Sequence, residues 1–178
     1  MTFEEKTLSS EVIYKGAILT LRRDRVETVG GEGYREIVEH NGGVAAIAVK
    51  DDGNVIMIKQ FRKPIERVIL EVPAGKIEKG EDPLETAVRE LKEETGYTAG
   101  NVEFLSKFYP SVGYSQELLY IYLCTELTEG ETDFDDSEAI DMFEMKLDDL
   151  YKMAVNGEIE DGKTAIAVMQ AWAKLNAK

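Results

Sequence analysis

Gly75, Glu81, Arg89, Glu90, Glu93, Glu94 and Gly96 stand at fixed offsets along one 23-residue stretch that ends at Tyr97, and their types suggest chemistry rather than packing. Three carboxylates fall within five residues, which makes a poor core element. Glu90 and Glu94 are one helical turn apart, where like charges destabilise an isolated helix by about 0.2–0.5 kcal/mol. A bound cation reverses the sign of that term, and grouped carboxylate oxygens suit hard divalent ions.

The element that carries these residues is legible at both ends. Asp82-Pro83-Leu84-Glu85 predicts a helix start, with Asp82 as cap, Pro83 in the first turn and Glu85 closing a capping box. Gly96 stops the helix. At 100° per residue Leu84, Ala87, Val88 and Leu91 share an apolar stripe, and Glu90, Glu93 and Glu94 share a neighbouring arc. The expectation is a helix anchored by one side and acidic on another.

Around it the chain alternates strand-like and helical runs. Residues 10–40 read as strands broken by a turn at Gly30-Gly31-Glu32-Gly33, and predict a small antiparallel sheet. Val44 to Val49 and Val55 to Phe61 predict a core hairpin about the turn Asp51-Asp52-Gly53-Asn54. Val102 to Tyr109 and Leu118 to Cys124 follow the helix as strands, joined by a turn-rich loop from Pro110 to Glu117. Ala139 to Met145 reads as a further strand and Leu147 to Val155 as a short helix stopped by Gly157. A last helix, Thr164 to Leu175, places Ala165, Val168, Met169, Trp172 and Leu175 on one face, as core or interface. Without regular βα alternation, this order implies an α+β or layered α/β/α architecture.

Composition narrows the function. A chain of 178 residues with 43% apolar and 31% charged content suits one domain, or one with a small appendage. A net charge of −14 argues against gripping long nucleic acid by its phosphates, yet permits a small phosphorylated substrate neutralised locally by metal and arginine. No apolar run is long enough to span a bilayer, and the acidic N-terminus lacks the apolar stretch of a secretory signal, so no membrane partner is expected. Cys124 is the single cysteine, so an internal disulfide is impossible and a cytoplasmic setting is expected.

The stretch from Gly75 to Tyr97 resembles the Nudix box: Gly, five residues, Glu, seven residues, Arg-Glu, an aliphatic, any residue, Glu-Glu, any residue, Gly, an aliphatic. Tyr97 at the last position is the one departure. A chance match in a chain of this composition is on the order of 1 in 10⁴ to 10⁵, which disfavours a merely glutamate-rich surface helix. The resemblance implies an α+β fold of Nudix type, an α/β/α sandwich with a mixed sheet, preceded by the small N-terminal antiparallel sheet. It implies Mg²⁺, or alternatively Mn²⁺, on Glu90, Glu93 and Glu94, with Glu93 also a candidate to activate water. Arg89 would orient the carboxylates, Glu81 would act behind them, and a sharp turn at Pro73-Ala74-Gly75 would offer the Ala74 carbonyl.

The whole chain also resembles the ADP-ribose pyrophosphatase branch, through Tyr34-Arg35-Glu36-Ile37-Val38-Glu39, Gln60-Phe61-Arg62, Leu70-Glu71-Val72-Pro73-Ala74-Gly75 and Pro110. Hydrolysis of ADP-ribose to AMP and ribose 5-phosphate is the implied reaction, with another nucleoside diphosphate sugar such as GDP-mannose, or nucleotide sensing without catalysis, as alternatives. Residues 1–40 would form a dimerisation sheet and residues 41–178 the catalytic domain of a homodimer, with Tyr14 and Arg35 reaching the nucleotide from either subunit. Glu27 on a neighbouring strand is the expected partner should Arg35 be structural. Arg62 is a candidate phosphate or ribose contact, its fork matching phosphate geometry. Glu71 either contacts the nucleotide or merely precedes the Pro73 turn. Glu117 resembles a further glutamate that serves the metals or the attacking water.

Three other signals lead nowhere. Gly157 to Thr164 spells a phosphate-binding loop, but it follows a helix and carries three acids. Asp161 or Thr164 reads better as the cap of the last helix. Asp133, Asp135 and Ser137 resemble a calcium loop, but Glu138 stands where such a loop needs glycine. His40, the single histidine, supports neither a zinc site nor a serine triad.

Overall fold

The computed structural model describes residues 3–132 and 140–177. The calcium-loop reading of Asp133, Asp135, Ser137 and Glu138 therefore lies outside the described residues. The chain divides into two compact units, Met1–Gly42 with Tyr109–Leu118, and Gly43–Phe108 with Leu119–Lys178.

The first unit is an antiparallel sheet of β1 (Thr7–Lys15), β2 (Thr20–Thr28) and β3 (Gly31–Glu39), in that order. The turn into β3 comes earlier than the glycine cluster suggests. Gly31 and Gly33 already lie in the ladder opposite Thr28 and Val26. The loop Tyr109–Leu118 is strapped to β3, since the Val38 amide donates to the Tyr114 carbonyl at 2.7 Å and the Gln116 amide to the Val38 carbonyl at 3.0 Å.

The second unit is a mixed seven-stranded sheet between helices. Its main path runs β10 (Ile140–Lys146), β5 (Asn54–Arg62), β4 (Gly43–Val49), β9 (Leu119–Thr128) and β8 (Thr98–Phe108), while β6 (Arg67–Glu71) pairs with β5 and β7 (Ala74–Lys76) with β4. β4 is buried along its whole length, as its unbroken run GVAAIAV requires of a strand covered on both faces. The expected hairpin of β4 and β5 exists only at Ala48–Ile56 and Val49–Val55. Beyond those pairs one edge of β4 turns to β7, and the other runs parallel to β9.

Among the described residues, three helices cover this sheet. On one face Ala46, Ala48, Ile56 and Cys124 pack with Leu91 and Tyr97 of α1 (Pro83–Thr95) and the turn after it. On the other, Ile47, Val49, Val55, Met57 and Ile121 pack with α2 (Leu147–Val155) and α3 (Gly162–Asn176). The architecture is therefore α+β, a sandwich with a mixed sheet accompanied by a separate three-stranded one.

Both long helices sit rotated from the face their apolar pattern predicts. α1 buries Thr86, Ala87, Leu91, Glu94 and Thr95, while Leu84 and Val88 stay exposed. The buried arc is turned by roughly 60° toward the glutamates, which puts Glu94 at its centre. A docked carboxylate decides this orientation: Glu94 Oε2 accepts the Ala74 amide at 2.9 Å. α3 buries Thr164, Ala167, Val168 and Ala171, and leaves Met169 and Leu175 exposed. Small residues let it approach the sheet closely, and Thr164 Oγ1 accepts the Val72 amide at 3.0 Å. Trp172 instead stacks on Tyr151 of α2, ring centroids 4.0 Å apart.

Candidate active site

The start of α1 is fixed by Asp82, whose Oδ1 accepts the Leu84 amide at 2.8 Å. Thr86 rather than Glu85 closes back on the cap, donating its hydroxyl to the Asp82 carbonyl at 3.1 Å. At the other end Gly96 takes the left-handed conformation, φ 76°, and its amide returns to the Lys92 carbonyl. A Cβ at Gly96 would also lie 2.6 Å from the Gly130 carbonyl oxygen, so glycine is required twice over.

Between these ends Arg89 gathers the carboxylates. Its Nε donates to Glu81 Oε1 at 2.9 Å and its Nη2 to Glu81 Oε2 at 3.1 Å. Its Nη1 donates to Glu90 Oε1 at 2.9 Å and Glu93 Oε2 at 2.8 Å. One guanidinium thus holds three acids, and all four residues lie on or just before one helix. Hydrogen bonding to Arg89 drives the Glu81 carboxyl down to about 2, against some desolvation, and the same bond raises Arg89 further above its ordinary range.

The segment facing α1 bends at Pro73 but does not continue as the expected turn through Ala74 and Gly75. It is the short strand β7, with Ala74 opposite Ala45 and Gly75 opposite Val44. Glycine is needed there for space. A Cβ on Gly75 would lie 1.8 Å from Glu90 Cδ, so the Glu90 carboxylate occupies the volume that any other residue would fill. Glu90 lies over Gly75 and Glu94 is hydrogen-bonded to Ala74, so two carboxylates one turn apart both meet this strand.

Arg62 and Glu71 meet each other on adjoining strands. Arg62 Nε and Nη2 donate to Glu71 Oε1 and Oε2 at 2.6 and 2.7 Å, a side-on fork, and Lys163 Nζ also donates to Oε2. Glu71 is 0% exposed. Glu71, read from the sequence either as a nucleotide contact or as a residue preceding the Pro73 turn, is thus a fully covered carboxylate gripped by two cations. Burial is the largest influence on its carboxyl and pushes it up, but Arg62 and Lys163 outweigh burial and keep it below the usual range. Arg62 is raised, chiefly by its bond to Glu71, and feels the charge of Glu94 as well.

In the first unit, Arg35 pairs with Glu5 and not with Glu27. Its Nε donates to Glu5 Oε2 at 2.9 Å, and Nη2 to Glu5 Oε1. In the ladder Arg35 stands opposite Asp24, and Glu27 opposite Glu32, so the pleat turns Glu27 to the other face. Tyr14 is largely exposed, opposite Leu21. Glu117 is partly exposed, its Oε1 3.7 Å from His40 Nδ1. That nitrogen accepts the Gly42 amide at 3.0 Å, which assigns the ring proton to Nε2 and leaves the Glu117 approach a contact rather than a hydrogen bond.

The donor set fits a hard divalent ion. Glu90, Glu93 and Glu94 project from successive turns beside a strand, and every candidate donor is oxygen. Among the described residues no group of three or more His, Cys, Asp or Glu side chains is placed to hold a metal ion. Mg²⁺ does not require one, being held by one or two carboxylates together with water and substrate phosphate.

Lys163 and Glu5 were not legible as the partners of Glu71 and Arg35. Lys163 lies 92 residues from Glu71, inside the segment that spells a phosphate-binding loop, and Glu5 lies 30 residues from Arg35. Only the pairing of strands and the docking of α3 bring them in.

Geometry and comparison agree on the class. The NUDIX domain matches residues 39–166, and the chain belongs to the Nudix family. The nucleoside diphosphate sugar hydrolase N-terminal domain matches residues 5–34. Among individual relatives, the chain is 45% identical to an ADP-ribose pyrophosphatase of Bacillus subtilis (strain 168), over 94% of this chain and 92% of the relative. It is 43% identical to a methanol dehydrogenase activator of Bacillus methanolicus, over 93% of this chain and 91% of that one. The fold matches the crystal structure of an ADP compounds hydrolase with a TM-score of 0.85 at 22% identity, covering 99% and 98% of the two chains.

Proposed function

We propose that the protein hydrolyses the diphosphate of ADP-ribose to AMP and ribose 5-phosphate, with a divalent cation as cofactor. The observation that carries this reading is the gathering of Glu81, Glu90 and Glu93 on Arg89, with Glu94 docked on Ala74. The substrate is supported by the 45% identity to an ADP-ribose pyrophosphatase across nearly the whole chain.

In this reading Glu90, Glu93 and Glu94, with the Ala74 carbonyl, hold Mg²⁺, or alternatively Mn²⁺. When bound, the ion neutralises the diphosphate and lowers the pKa of attacking water. Arg89 keeps the carboxylates converged, and Glu81 keeps Arg89 in plane. Glu93 is more exposed than Glu90 and accepts the water proton, with Glu117 as the second candidate. Arg62 binds a phosphate or ribose oxygen, while Arg35 and Tyr14 contact the nucleotide.

The protein acts as a homodimer through residues 1–40. Support comes from the apolar side chains that the three-stranded sheet leaves exposed, among them Val12, Tyr14 and Tyr34. A cytoplasmic setting accords with the buried free thiol of Cys124, which burial pushes up to about 12 and makes inert. Among the described residues no helix is long and apolar enough to cross a membrane.

A second substrate is favoured by one observation: a GDP-mannose pyrophosphatase of Yersinia enterocolitica is 29% identical over 77% of this chain. Incubating the protein with a panel of nucleoside diphosphate sugars and Mg²⁺ separates the two. The highest kcat/KM is expected for ADP-ribose, and a preference for GDP-mannose would replace it. Binding without turnover of any panel member would leave the sensing reading.

A further inference from the structure

Glu71 is fully buried, and two cations from different elements meet on it. Arg62 approaches from β5, and Lys163 from the first turn of α3. Lys163 Nζ also donates to Asp161 Oδ2 at 2.9 Å. That oxygen caps α3, accepting the Thr164 amide at 3.0 Å and its hydroxyl at 2.6 Å. Thr164, itself 0% exposed, takes the Val72 amide next to Glu71, so the network closes on the strand where it began.

Two positive and two negative groups balance in this network, and Arg62 alone would neutralise Glu71. Lys163 therefore adds direction rather than simple charge balance. It engages Oε2 from the helix side, so the carboxylate cannot swing and the fork of Arg62 stays in one plane. With Nε and Nη2 on Glu71, Nη1 makes no hydrogen bond among the described residues, and the Arg62 side chain is 38% exposed. The result is an arginine clamped along one edge, with the other edge available to an anion.

We propose that Lys163 is a positioning residue for the diphosphate site: by holding Glu71 from the start of α3, it fixes Arg62 to receive a phosphate oxygen of the substrate. This rests on the reading of Arg62 as a substrate contact. Without Lys163, Glu71 is held by Arg62 alone and is free to swing, so Arg62 loses the plane in which it meets substrate.

The test is a double-mutant cycle on Arg62→Ala and Lys163→Met. Equilibrium binding of ADP-ribose is measured by calorimetry in EDTA, with KM and kcat measured in Mg²⁺. Lys163→Met is expected to weaken binding and raise KM about tenfold, with kcat within about threefold, and to add less than about twofold once Arg62 is alanine. Lys163→Arg, which keeps a cation on Glu71, should recover affinity to within about threefold. Should the methionine variant fail to fold, as judged by circular dichroism, Lys163→Gln takes its place with the same expectations. Additive effects in the cycle, or wild-type affinity without Lys163, would overturn the role. The cycle is run on whichever panel member binds most tightly. Preference for another sugar then overturns the substrate reading alone, and binding of no panel member overturns both.

Discussion

At the scale of single residues, the site depends on where carboxylate oxygens are held, and Gly75 gives the cleanest handle on that. Its backbone does not have positive φ, so Gly75→Ala is not strained by conformation. The atoms nearest the new methyl group are the carboxylate carbon and oxygens of Glu90, the far end of a flexible side chain that can move aside. Gly75→Ala should therefore leave the melting temperature within about 2 °C while lowering kcat about 10- to 100-fold, because small displacements at a reacting centre are costly. A large fall in melting temperature with activity intact would contradict this placement. Glu93→Gln should lower kcat by about 10²–10⁴-fold, the range for loss of a proton-accepting group, with an unchanged circular dichroism spectrum. Glu81 gives a pH signature. Its carboxyl is depressed to about 2 by Arg89, so its contribution to stability is present above the ordinary carboxylate range and is lost as pH falls toward 2. Melting curves from pH 6 to pH 2 should show Glu81→Gln losing less stability across that window than the wild type.

At the scale of elements, the ends of α1 were legible and its roll was not. Asp82, Pro83 and Gly96 mark the boundaries by local chemistry that needs no tertiary partner, and the helix runs Pro83–Thr95 between them. Of the apolar stripe, Ala87 and Leu91 are buried as expected, while Leu84 and Val88 remain exposed, because the Ala74 amide draws Glu94 inward. Hydrophobic periodicity cannot register a carboxylate whose partner is a backbone amide on a distant strand. α3 repeats the lesson, since Thr164 and two alanines take the place given to Met169 and Leu175. The same reasoning explains Glu71: a glutamate on a strand reads as a surface or ligand residue until Arg62 and Lys163 are seen to cover it. Gly96→Ala tests the helix end directly. It faces both a left-handed φ and a carbonyl contact, and should destabilise the protein by about 1–3 kcal/mol in urea melts. Ordinary stability in that variant would show that the turn relaxes.

At the scale of the whole molecule, the acidic balance and the box set the class, and the substrate follows from residues spread over the full length. The net charge of −14 means that a diphosphate must be met by local cations, which in the proposed reading are Arg62 and a divalent ion. Affinity for ADP-ribose should accordingly fall when Arg62 is replaced by alanine, and far less when an exposed lysine such as Lys152 is replaced. The exposed apolar side chains of the N-terminal strands predict a homodimer, so solution mass by light scattering should give twice the mass of 19.9 kDa. A stable, active monomer would remove any role for Tyr14 and Arg35 across subunits.

The most direct test of the central claim is product analysis after incubating the purified protein with ADP-ribose and Mg²⁺. AMP and ribose 5-phosphate should appear in equal amounts, disappear with EDTA and be absent with Glu93→Gln. A folded wild-type protein that forms no AMP across a broad range of pH and divalent ions would contradict it.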